Sequence, residues 1–104
     1  MRLRRNPFAD VIARQLDLFV EDEAYLLEDC RDKFRVYEQA DREDAEESYG
    51  DFVDAVETAT EALADMRDRF SRTLGEDAAE VYEDAFNRAV RKRWPELGLE
   101  IENR

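Results

Sequence analysis

Histidine is absent from the 104-residue chain, which removes the side chain that titrates near neutral pH, every Ser-His or Cys-His nucleophile and the Glu-x-x-His ligand pairs of di-iron helical proteins. Cysteine occurs once, as Cys30, so no disulfide closes within the chain and no cysteine zinc motif exists. Serine is limited to Ser48 and Ser71, and the three glycines form no phosphate-cradling loop. No catalytic, cofactor-binding or metal-ligating residue is assigned on this basis, no cofactor is expected, and the chain reads as a non-enzyme. Nor is there an apolar run near the roughly 20 residues of a membrane span. Met1-Arg2-Leu3-Arg4-Arg5 leads into Asn6-Pro7 and Asp10 rather than into an apolar signal core, so a cytoplasmic protein is expected.

What is present is charge on a helical pattern. Hydrophobic residues make up 43% and charged residues 42%, too apolar for a disordered tail and far more charged than the roughly 25% of ordinary domains. Twenty-eight acids against 16 bases give a formal net charge of -12, which argues against nucleic acid and against an anionic membrane surface as partners. The length suits one domain, residues 1–104.

Phe8, Ile12, Leu16, Phe19, Leu26, Cys30, Phe34 and Tyr37 recur at helical steps, and so do Tyr49, Phe52, Val56, Leu63, Phe70 and Leu74. The expected fold is all-α: a long antiparallel helical hairpin plus a shorter third helix, a three-helix bundle protomer. A basic N-terminal tail (1–6) precedes helices over 7–40, 42–74 and 76–94, and an extended tail follows over 95–104. Asn6 and Pro7 supply the first start. A turn near Asp41 is preferred to one near Ser48, because it pairs Phe34 with Tyr49, Cys30 with Val53, Leu27 with Val56, Phe19 with Leu63, Ile12 with Phe70 and Phe8 with Leu74. Gly75 is expected to close the second helix in the left-handed conformation. Val81, Tyr82, Ala85, Phe86, Ala89, Val90 and Trp94 form the third stripe, ended by Pro95.

At 1.5 Å per residue the third helix spans roughly 27 Å against roughly 50 Å for the first two, so it covers only half of the hairpin. Phe34, Tyr37, Tyr49 and Phe52 are left to another element. A second copy, giving a homodimer, is preferred to closure by the chain's own Leu97-Gly98-Leu99-Glu100-Ile101 segment. Ala55, Ala59 and Ala62 present a small-residue flank suited to seating the third helix.

Individual polar residues are read first as structure. Glu23 falls on the first stripe opposite Thr60 and is expected to bond to it or to pair with Arg91 or Arg93, ahead of a role as general base. Cys30 is expected to be a reduced, buried thiol. Asp29 and Asp32 lie level with Asp54 and Asp51, hard oxygens that suit magnesium or manganese. Glu46-Glu47 with Gly50-Asp51 and Asp54 resembles the acidic helical motif of all-helical nucleotide pyrophosphohydrolases over residues 46 to 54, without that family's full paired motif. The resemblance implies a divalent-metal-dependent enzyme as an alternative function, behind a solvated helix face.

Residues 41 to 61 hold Asp41, Glu43, Asp44, Glu46, Glu47, Asp51, Asp54, Glu57 and Glu61 against Arg42 alone, nine acids to one base, a balance of -8. Arg88, Arg91, Lys92 and Arg93 are expected to pair with Glu21, Asp22, Glu57 and Glu61, leaving Arg2, Arg4 and Arg5 for a partner. The preferred function is a non-enzymatic interaction or assembly protein; the alternative is a regulator that binds a basic protein through the acidic hairpin tip.

Overall fold

The computed structural model describes residues 6–104, so the Arg2, Arg4 and Arg5 segment lies outside the described residues. Among the described residues the chain is all-helical: α1 (Ala9–Asp22), α2 (Ala24–Gln39), α3 (Ala45–Ser71), α4 (Glu76–Arg93) and α5 (Pro95–Glu102). Asn6 holds the turn that leads into α1, which begins at Ala9 rather than at the expected residue 7. Its Oδ1 accepts the Phe8 amide at 2.8 Å and its carbonyl accepts the Ala9 amide at 3.1 Å. Asp41 holds the turn into α3 in the same way, its Oδ1 accepting the Asp44 amide at 3.2 Å.

The continuous helix expected over 7–40 is corrected to two. Glu23, at φ -120° and ψ 31°, breaks it without glycine or proline. The cause is tertiary: α2 packs along α3, whereas α1 leaves that line and packs on α4. Phe8 meets Tyr82 edge-on at 5.4 Å and Phe19 meets Trp94 at 6.0 Å. Tyr82 also lies 4.8 Å from Phe70 of α3, so one ring of α4 reaches both Phe8 and Phe70.

The register is corrected with it. Phe34 pairs with Phe52 at 5.1 Å and Tyr37 with Tyr49 at 5.2 Å, three residues away from the expected Phe34–Tyr49 pairing. The turn occupies residues 40–44, so α3 begins at Ala45 rather than at 42 and shifts the facing rows. Its other end falls at Ser71 rather than 74. Gly75 has φ -68° and ψ 161°, so it is the extended residue before α4 and not a left-handed cap of α3.

The extended tail over 95–104 is a helix. Trp94 is pushed out of helical geometry ahead of proline, ending α4, and Pro95 then occupies the first turn of α5, where its missing amide proton costs nothing. Leu97 and Ile101, four residues apart, fall on one face and are buried, which an alternating five-residue segment also permits. The segment therefore docks on α3 and α4 instead of crossing the outer hairpin.

Arg67 ties these helices together. It is 3% exposed, and its guanidinium donates to Asn87 Oδ1 of α4 at 2.9 Å and to the carbonyls of Ile101 and Arg104 at 3.2 and 2.8 Å. The Ile101 carbonyl belongs to the last turn of α5, where the helix has no further amides to satisfy its acceptors, and Arg104 lies just beyond the helix end. A cation buried in α3 thus caps α5. The core gathers Ile12, Leu16, Phe19, Leu27 and Cys30 with Ala59, Leu63, Tyr82, Phe86, Val90, Leu97 and Ile101. Of the small-residue flank, Ala55 and Ala59 are buried and Ala62 is partly so.

Candidate interaction surface

The Cα radius of gyration is 15.9 Å, above the roughly 13 Å of a compact chain this long, and the extents are 53 by 32 by 24 Å. α2 packs chiefly on α3, and the two form an arm. On that arm Phe34, Tyr37, Tyr49 and Phe52 form a chain of rings 5.1 to 6.5 Å apart. Phe34 is nonetheless 42% exposed and Tyr49 51%. These are the rings expected to need cover, and among the described residues no element covers them fully.

Where the arm meets the other helices, the rings continue into a cleft of about 260 Å³. Leu27, Cys30 and Phe34 of α2, Phe52 of α3, and Trp94, Glu96 and Leu97 at the α4–α5 junction line it, with Arg31 at its edge. Trp94 and Leu97 were not anticipated in this wall. The available signal was Pro95 followed by apolar residues four apart, a short helix start that alternation disguised. Cys30 is buried, and desolvation, followed by the nearby Asp29 carboxylate, raises its thiol to about 11. It is a protonated apolar wall at neutral pH, not a nucleophile.

Acids border the rings. Glu38 follows Phe34 by four residues on α2 and Glu46 precedes Tyr49 by three on α3, spacings that place each beside a ring on the helix surface, and Asp41 lies in the turn between the two helices. All three are exposed, and every Asp and Glu from 41 to 61 is exposed. Among the described residues none of Glu38, Asp41, Glu43, Glu46 or Glu47 joins a salt bridge.

Elsewhere the polar residues have local partners. Thr60 donates back to the Val56 carbonyl at 2.7 Å, and Arg93 and Arg91 pair with Asp17 and Glu102, so none is the expected partner of Glu23. Glu23 sits at the helix break, half-buried, and raises the pKa of Tyr25 through a hydrogen bond to its hydroxyl. The pairing of Arg91 and Arg93 with Glu21, Asp22, Glu57 and Glu61 is likewise corrected: Arg93 meets Asp17, one turn earlier in α1 than Glu21, and Arg91 meets Glu102 of α5. Asp29 bonds Lys33 at 2.8 Å and Asp32 bonds Arg35 at 3.1 Å. With Asp51 and Asp54 they do not converge, and among the described residues no group of three or more His, Cys, Asp or Glu side chains is arranged to hold a metal ion.

Among the described residues no helix is long and apolar enough to cross a membrane. Comparison with protein-family models, curated proteins and solved structures found no match to this chain.

Proposed function

We propose that the protein is a non-enzymatic interaction or assembly protein whose α2–α3 arm binds a helical partner through its outer aromatic face. The observation that carries this reading is the contrast in burial between aromatic residues of the core and those of the arm: Phe19 and Phe86 are sealed, whereas Phe34 and Tyr49 remain about half exposed although they pack on neighbouring rings. Exposed aromatic clusters of this kind suit recognition better than they suit an isolated chain. Two occupants fit a helix-binding face: a second copy, completing a four-helix core as a homodimer, or a helix of a basic protein.

The reading is tested with the double substitution Phe34→Ser and Phe52→Ser. Helix content by circular dichroism stays near that of the parent chain, and association is lost, whether it is self-association by light scattering or capture of a partner. Association that survives the double substitution would exclude the arm as the binding element.

A further inference from the structure

The second inference rests on the reading above and names the occupant. We propose that the arm receives a basic amphipathic helix of another protein, laid along the aromatic row with an apolar anchor in the Trp94–Leu97 cleft. Three observations converge on this choice.

The first is charge. Residues 41 to 61 carry a balance of -8, all of their acids are exposed, and Glu38 and Glu46 lie one helical turn from Phe34 and Tyr49. A second copy would bring an identical acidic segment to the same face. Its repulsion acts within the roughly 8 to 10 Å over which salt screens incompletely. Lysine or arginine beside the partner's apolar stripe meets those acids with the opposite sign, and the complementarity also speeds encounter.

The second is the cleft. Its lining joins Leu27, Phe34, Phe52 and Leu97 to Trp94, a concave and mostly apolar seat for a large side chain of the docked helix. Interfaces concentrate their energy at such anchors. The third is length. From Leu27 to Tyr37 the face runs about 15 Å along α2, which matches about three turns of a docked helix with apolar residues at steps of three and four.

Trp94 is the only tryptophan and lines the cleft, so its fluorescence reports occupancy directly. The full chain is titrated with an amphipathic helical peptide of about 18 residues, leucine on one face and lysine on the other, and with the same peptide carrying glutamate for lysine. The lysine peptide is expected to shift Trp94 emission and to bind at least about tenfold tighter than the glutamate peptide at low salt, with the gap narrowing as salt rises. Glu38→Lys with Glu46→Lys should shrink or invert that preference. Phe34→Ala with Phe52→Ala should weaken the lysine peptide by about tenfold or more.

Equal affinity for the two peptides would overturn the basic occupant, and so would lysine-peptide binding that ignores the ring substitutions. A dimer of the chain alone, lost on ring substitution, would assign the face to a second copy and leave the interaction reading standing. A monomer that binds neither peptide would remove both.

Discussion

α3 passes through two different surroundings, and the contrast between them explains most of what this chain does with its residues. Beyond Ala59 the helix is enclosed by α4 and α5: Leu63 is fully buried, and even a charged residue, Arg67, is sealed among bonded partners. Before Ala55 it is half of a two-helix arm, with Tyr49 and Phe34 exposed and acids along its rim. Both halves follow the same apolar period. What separates them is the number of helices that cover the stripe, and among the described residues α4 and α5 enclose one half only. The enclosed half holds the fold, and the open half is the surface proposed for recognition.

The comparison breaks most sharply at Arg67. Replacing it with Met keeps the apolar stem but leaves the Asn87 oxygen and the Ile101 and Arg104 carbonyls without their donor, at a cost of about 3 kcal/mol. Urea unfolding should show a lower midpoint, and α5 amides should exchange faster. An unchanged midpoint would mean that α5 docks through Leu97 and Ile101 alone.

Tyr82 is fully buried, and desolvation raises its hydroxyl to about 12, although it donates to Gln15 Oε1 at 2.8 Å. The folded state thus keeps the proton that the unfolded chain begins to lose near pH 10. Stability is fully present below pH 10 and falls as pH rises toward 12, by up to about 2 kcal/mol. Cys30 adds a loss of the same sign between its ordinary 9.0 and about 11. Unfolding midpoints measured from pH 8 to 12 should fall less in Tyr82→Phe; equal slopes would place the alkaline sensitivity elsewhere.

Gly98 is a third sensitive position on the enclosed half. A Cβ there would lie 2.6 Å from Arg91 Cβ and Cγ and 2.7 Å from its Cα, so α5 would have to lift from α4. Gly98→Ala should cost about 2 kcal/mol, read as a lower thermal or urea midpoint. No loss would mean that the two helices can separate freely at this junction.

The sequence carried the helical class, the turns held by Asn6 and Asp41 though not the residues at which α1 and α3 begin, the end of α4 at proline and the incomplete cover over Phe34 and Tyr49. These depend on local chemistry or on relative lengths. The break at Glu23 was not legible, because no backbone-breaking residue marks it and the deciding contacts are those of Phe8 and Phe19 with α4. The Arg67 network was hidden for a related reason. An arginine on a charged helix reads as surface until α5 is known to end beside it. The cleft was missed with it, since one wall is the α4–α5 junction.

The smallest effect tests the open half by itself. Gly50 lies within α3 on the arm, exposed, and a Cβ added there meets no atom within 4 Å. Alanine removes conformational freedom from the unfolded chain without crowding the folded one, so Gly50→Ala should stabilise by about 0.4 to 1 kcal/mol. The sign is opposite to that at Gly98 because the surroundings are opposite. If the arm unfolds together with the enclosed half, the gain raises the global urea midpoint. If it opens first, arm amides exchange more slowly while those of α4 and α5 do not change, since stabilising a unit already open at the global transition cannot protect the rest. A destabilised Gly50→Ala chain would contradict the open surroundings on which the contrast depends.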